Sequence, residues 1–235
     1  MSTTAGATWP EYLAERARTA RDPRLGRFLT AGTADPATPV AAVPLVALDL
    51  EPTGLDPGRH GIVSIGLLPF TLDRIPLATR RHWVVRPRQP LTDSSVTFHG
   101  ITHSAIAAAP DLDEVLDDVL AALAGRVAVV HYRTIERGFL DAAVRERTGE
   151  ELRFPVIDTM ELEARLHRAS LGARLRRLVG QRPVSLRLGD ARARYGLPTY
   201  QGHHAVMDAL ATAELLQAQV ATHHGPATAV GDLWC

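Results

Sequence analysis

The chain has 235 residues, 46% of them hydrophobic, enough to bury a full core in one domain with an appended segment. Its 26 basic and 26 acidic residues cancel, so no whole-molecule field advertises a polyanion, and any nucleic-acid contact must come from a local patch. Cys235 is the single cysteine, which argues against an internal disulfide framework or a cysteine zinc site; with no long apolar run and with Glu11 and Glu15 near the start, the chain reads as a soluble cytoplasmic protein.

Residues 9–30 carry Trp9, Tyr12, Leu13, Ala17, Leu25 and Phe28 at loosely helical spacing, with Pro10 suited to a first turn. Residues 30–39 are small, polar and punctuated by proline, and read as a linker. Residues 1–40 are therefore expected to form a helical extension and linker, either packing on the domain or docking a partner. The main domain is expected over 41–222, and a short tail over 223–235.

An apolar run from Pro44 ends in Asp49 and Glu51, and Pro52, Thr53 and Gly54 break it. Residues 61–70 read as the return strand of a hairpin, and residues 82–87 as a third strand. Apolar positions three and four apart predict a helix over 112–123, which Gly125 can end. A short apolar strand over 127–131 has the composition of one buried on both faces. Helical spacing resumes from Ile135 to Val144, a strand is expected over 154–158, and a helix over 159–166. The arginines between 165 and 187 form either a solvated face or a basic wall. Ser185 is positioned to cap a helix over 186–195, stopped by Gly196 and Pro198, and the last helix begins near His203 and runs through Ala221. This order predicts an α/β fold: a mixed sheet, antiparallel meander plus parallel strands, flanked by helices on both sides.

Chemistry concentrates at two places. Side chains alternate along a strand, so Asp49 and Glu51 share a face at a strand end beside a sharp turn. Two carboxylates this close repel unless a hard divalent cation sits between them, although a strand running into a polar loop has the same composition. Near the C-terminus, Asp208 falls in the first turns of a helix that follows His203 and His204. Helical geometry by itself favours His204 as the partner of Asp208, four residues on. Asp158 reads as a strand-to-helix cap rather than a ligand.

Asp49-Leu-Glu51 with Thr53 and Gly54, His99-Gly-Ile-Thr102, His131 through Phe139-Leu140, Ile157-Asp-Thr159, and His203 five residues before Asp208 occur in a telling order. Together they resemble the DEDDh, or DnaQ-like, 3′-to-5′ exonucleases, a family that includes the proofreading epsilon subunit of bacterial DNA polymerase III. The resemblance spans roughly residues 44–221 and implies a ribonuclease H-like sheet. It implies that Asp49, Glu51 and Asp208 bind two Mg²⁺ or Mn²⁺ ions, and that His203 rather than His204 is the general base. Thr53, Gly54 and Leu55 resemble the segment that meets the terminal nucleotide, and His99, Ile101 and Thr102 the edge of its base pocket.

One departure stands out. The family's third carboxylate is an aspartate preceded by His-Asn, whereas here Glu136 stands in the aspartate position and Tyr132 in that of the asparagine. Glu136 keeps the charge on a longer arm and is assigned a metal role, directly or through water; otherwise it is a solvated helix residue beside a deficient site. The implied activity is release of nucleoside monophosphates from single-stranded or frayed 3′ ends, DNA favoured, alone or with a polymerase or other protein partner. Short RNA as substrate, or a catalytically weakened nucleic-acid-binding module, are the alternatives.

Overall fold

The computed structural model describes residues 7–89, 100–169 and 184–235. Two helices, α1 (Trp9–Thr19) and α2 (Pro23–Thr30), replace the continuous spacing read over 9–30. The break is local chemistry: Asp22 accepts from the Arg24 and Leu25 amides and Pro23 opens α2, so the chain restarts a helix there.

The sheet is built from β1 (Leu45–Pro52), β2 (Ile62–Phe70), β3 (Arg81–Val84), β4 (Val127–Val130) and β5 (Val156–Asp158), in the order β3-β2-β1-β4-β5. The first three form the antiparallel meander, and β1, β4 and β5 run parallel. Between and after them come α3 (His103–Ala107), α4 (Leu112–Leu123), α5 (Arg133–Thr148), α6 (Thr159–Ala169), α7 (Leu188–Arg194), α8 (Ala205–Gln219) and α9 (Val230–Leu233). No described helix is long and apolar enough to cross a membrane.

The period of two in β1 divides the core. Val46, Leu48 and Leu50 face a layer containing Leu13, Phe28, Leu120 and Leu140, while Leu45 and Ala47 face Ala209, Ala213 and Leu216 of α8. Asp49 and Glu51 continue the second row, so the alternation that buries β1 also aims both carboxylates towards the side of the sheet covered by α8. Small side chains at Ala205, Ala209 and Ala213, one turn apart, let that helix lie close to the strands.

The proline-punctuated stretch read as a linker is tied down: the Pro36 and Thr38 carbonyls accept from the Gly231 and Val230 amides, and Pro39 bridges Ala229. Trp9, Tyr12 and Leu13 are buried in the core shared with the sheet, as are Val230 and Leu233 on its other side. Ser185 does not cap α7. Its hydroxyl donates to Asp190, and Arg187 takes the cap position without a side-chain bond. The predicted arginine face is described only in part, since positions 170–183 lie outside the described residues.

Candidate active site

Asp49 stands across from Gly66 in the β1/β2 register, and Glu51 across from Ser64, immediately before the register shifts at Pro52. That irregularity turns the strand into the hairpin loop, where the Thr53 amide donates to the Gly61 carbonyl and the Gly61 amide to the Thr53 hydroxyl. Thr53 is thus buried and holds the loop. The His60 ring lies over Gly54, where a Cβ would stand 2.5 Å away, and Leu55 projects into solvent at 83% exposure.

Asp208 arrives from the first turn of α8. The approach requires Gly66, because a Cβ at that position would lie 2.3 Å from the Ala205 carbonyl carbon. With the helix seated there, one carboxylate oxygen from each of Asp49, Glu51 and Asp208 lies within 4.8 Å of the others. Burial, reinforced by the charges of Glu136, Glu51 and Asp208, holds Asp49 well above the ordinary carboxylate range. Burial and then Asp208 push Glu51 up to about 7. Burial also raises Asp208, against the opposing hydrogen bond from the His203 amide to its Oδ2 at 2.7 Å.

Glu136 lies in the first turn of α5, 3% exposed, and its Oε2 has no hydrogen-bond partner among the described residues. Burial raises its proton affinity strongly. It is close enough to Asp49 to act on it electrostatically, yet it stands outside the trio of converging oxygens. A buried carboxylate oxygen with no donor is costly and invites a cation. The donor set is entirely carboxylate oxygen, which suits a hard divalent ion such as Mg²⁺ or Mn²⁺.

Of the two histidines, His203 is in the left-handed region at φ 68° and lines a cleft of about 370 Å³ with Asp49 and Asp208. The His204 ring instead stacks on His82 at 5.0 Å, and the His82 Nε2 sits 2.9 Å from the Ser64 hydroxyl. Thr102 caps α3 by accepting from the Ala105 amide, Ile101 precedes it, and His99 lies outside the described residues.

Asp158 is a cap twice over. Its carboxylate accepts from the Tyr132 and Arg133 amides at the start of α5 and from Met160 and Glu161 at the start of α6, and it pairs with Arg133. Aiming the Tyr132 amide this way needs φ 93°, a left-handed conformation costing an L residue about 1–2 kcal/mol. Asparagine tolerates it better, and the Tyr132 ring is 45% exposed, so little burial is at stake. Tyr132→Asn is expected to raise stability by about 0.5–1 kcal/mol in urea unfolding; a loss of similar size would contradict the strain.

Three features around the site escaped sequence reasoning. Gly66 is one; an isolated strand glycine is the signal for close backbone approach, but it names no partner. The others are Arg192, 3% exposed, and Glu214. Arg192 donates to the Ala211 and Pro198 carbonyls and to Glu214, beneath the Tyr200 ring at 4.7 Å, while the Tyr200 hydroxyl donates to Glu214. This clamp holds the loop carrying His203 against the helix carrying Asp208.

Comparison with known proteins gives the same picture. The exonuclease family RNase_T matches residues 46–216. The chain is 28% identical over 171 residues to a PolC-type DNA polymerase III of Halalkalibacterium halodurans, covering 73% of this chain and 11% of that protein. It is 29% identical over 178 residues to a DNA polymerase III subunit epsilon-like protein of Rhodobacter capsulatus, covering 75% and 24%. The chain thus spans about a tenth to a quarter of the length of these relatives. The nuclease domain of 3′hExo, a DEDDh family member bound to rAMP, superimposes with a TM-score of 0.63 at 14% identity, over 81% of this chain and 96% of that one. The ribonuclease H-like sheet, the ordered motifs and the family match agree: the chain belongs to the DEDDh, DnaQ-like exonuclease family.

Proposed function

We propose that the chain hydrolyses phosphodiester bonds at the 3′ ends of DNA in the cytoplasm, releasing nucleoside monophosphates from single-stranded or frayed ends. The observation that carries this reading is the convergence of Asp49, Glu51 and Asp208 oxygens within 4.8 Å, with Glu136 buried close by. Asp49, Glu51, Asp208 and Glu136 would hold two Mg²⁺ or Mn²⁺ ions, whose Lewis acidity and charge support in-line displacement at phosphorus. Water attacks phosphorus, the bond to the 3′ oxygen of the preceding nucleotide breaks, and that oxygen takes a proton from solvent to become the new 3′ hydroxyl.

His203 takes the proton of the attacking water, a role supported by its place in the cleft with Asp49 and Asp208. His204 is engaged with His82 instead. The exposed Leu55 meets the terminal nucleotide, with Gly54, Ile101 and Thr102 beside it. The test is a 5′-labelled single-stranded DNA incubated with Mg²⁺ or Mn²⁺ beside a matched RNA. Stepwise shortening of the DNA that disappears in Asp49→Asn and Asp208→Asn is expected. Equal cutting by both variants would remove the site, and faster loss of the RNA would reassign the substrate.

A further inference from the structure

The cleft beside the acidic cluster has lining residues that the hydrolytic chemistry does not use. Asp49, His203 and Asp208 line it, and so do Arg187, Arg192 and Tyr200. Arg192 is spent within the fold, as described above. Arg194 is bonded to Glu163 and to the Ser185 carbonyl, and Arg133 to Asp158. Arg187 differs. Its side chain is exposed, and among the described residues its guanidinium makes no hydrogen bond or ion pair, although two carboxylates line the same cleft.

Its backbone, by contrast, is fixed on both sides. The preceding carbonyl, Leu186, accepts from His131 Nε2 at 2.9 Å, and the Arg187 carbonyl accepts from the Ala191 amide at 2.8 Å to open α7. A carbonyl cannot donate, so the His131 proton resides on Nε2, and β4's end is joined directly to the residue before Arg187. A cation on an anchored backbone, with an uncommitted head group in a cleft shared with the acidic site, is arranged for an anion brought in from outside. The guanidinium fork matches a phosphate oxygen pair. About 370 Å³ is the size of a small-molecule site, room for one nucleotide of a strand.

Resting on the nucleic-acid-end reading above, we infer that Arg187 binds a phosphodiester of the substrate strand away from the bond that is cut, and that His131 is the positioning residue that holds it there. The contact offsets the repulsion between the strand and the carboxylates, and it draws the strand along the α7 wall.

The test measures binding of a fluorescent single-stranded oligonucleotide across a salt series with Ca²⁺ in place of Mg²⁺, alongside shortening in Mn²⁺. Arg187→Ala is expected to weaken binding roughly 5- to 20-fold at low salt and to flatten the salt slope by about 0.7, the share of one phosphate on a single strand. Arg187→Lys keeps the charge, so it should retain the slope and recover part of the affinity. His131→Gln should move affinity in the direction of Arg187→Ala. Unchanged affinity and slope in Arg187→Ala overturn the assignment, and so does an equal loss in Arg187→Lys and Arg187→Ala with both slopes intact. If the wild type binds the strand but shortens none, the exonuclease reading falls while the Arg187 assignment is decided by the slopes. If the wild type shortens DNA and Arg187→Ala binds as well as wild type, the reverse holds. If the wild type binds no strand, both fall.

Discussion

Gly66→Ala is expected to lose about a hundredfold in exonuclease rate and about 1–3 kcal/mol in stability, though residue 66 bears no functional group. The added methyl would meet backbone, 2.3 Å from the Ala205 carbonyl carbon, 2.4 Å from its oxygen and 2.5 Å from the Val206 nitrogen. Backbone cannot rotate away as a side chain does. The first turn of α8 must therefore retreat by about 1 Å to restore ordinary carbon contacts. Asp208 rides on that turn, while Asp49 stays on β1 opposite residue 66, so the retreat opens the trio directly. Rate assays with urea unfolding check the expectation, and so does the metal-induced rise in melting temperature, which should shrink. Full activity with an unchanged metal response would mean that α8 does not need this contact.

Glu51→Gln is expected to melt above the wild type in EDTA at pH 8, by up to roughly 3 kcal/mol or about 6–12 °C, and to lose that advantage near pH 4.5. Burial and Asp208 raise Glu51 from 4.5 to about 7 in the folded chain. Between those values the folded state holds a proton that the unfolded state has released, so stability falls as pH rises through the window. The contribution is whole below about 4.5 and gone above about 7. Asp49 and Asp208 shift the same way and deepen the decline. The Arg147 bonds that hold Asp111 at about 2 despite its burial act below this window. His82 and His131, lowered by burial, have the opposite slope near 6.5, which is why the comparison is with a variant lacking only the Glu51 titration. Mn²⁺ at a hundred times its dissociation constant should return about 2.7 kcal/mol to the wild type and less to the variant. A variant no more stable than wild type in EDTA at pH 8 would show that the cluster is not under charge strain.

The acidic pair on β1 was legible because strand alternation is a rigid rule: once Leu45 and Ala47 face a helix, Asp49 and Glu51 must follow. The sheet order followed from short apolar runs separated by turn residues and helical spacing. Asp158 was legible as a cap, but not as one carboxylate serving two helices, since that depends on β4 and β5 ending side by side. Asp22-Pro23 marked a helix start within 9–30, yet the apolar spacing continued across it and concealed the break. Ser185 had the chemistry of a cap and lost the position to Arg187, because the helix opens only at Leu188, while the Ser185 oxygen accepts from the Arg187 amide and its proton goes to Asp190. Glu136 could be seen to replace an aspartate, whereas its burial with one unbonded oxygen depends on how α5 meets β1. Gly66 carried only the general signal of a strand glycine, with no partner named, and the Arg192 clamp had no sequence signature, as its meaning lies wholly in what packs on it.

The parallel end of the sheet finishes at β5, a three-residue strand whose outer side would otherwise be a template for pairing with another molecule. Trp234 bridges Ile157 in antiparallel fashion, the Cys235 amide donates to the Val156 carbonyl at 2.8 Å, and Arg137 grips the Cys235 carbonyl from α5. Trp234 and Cys235 thus act as a selvedge along β5, occupying a margin that is too short to protect itself.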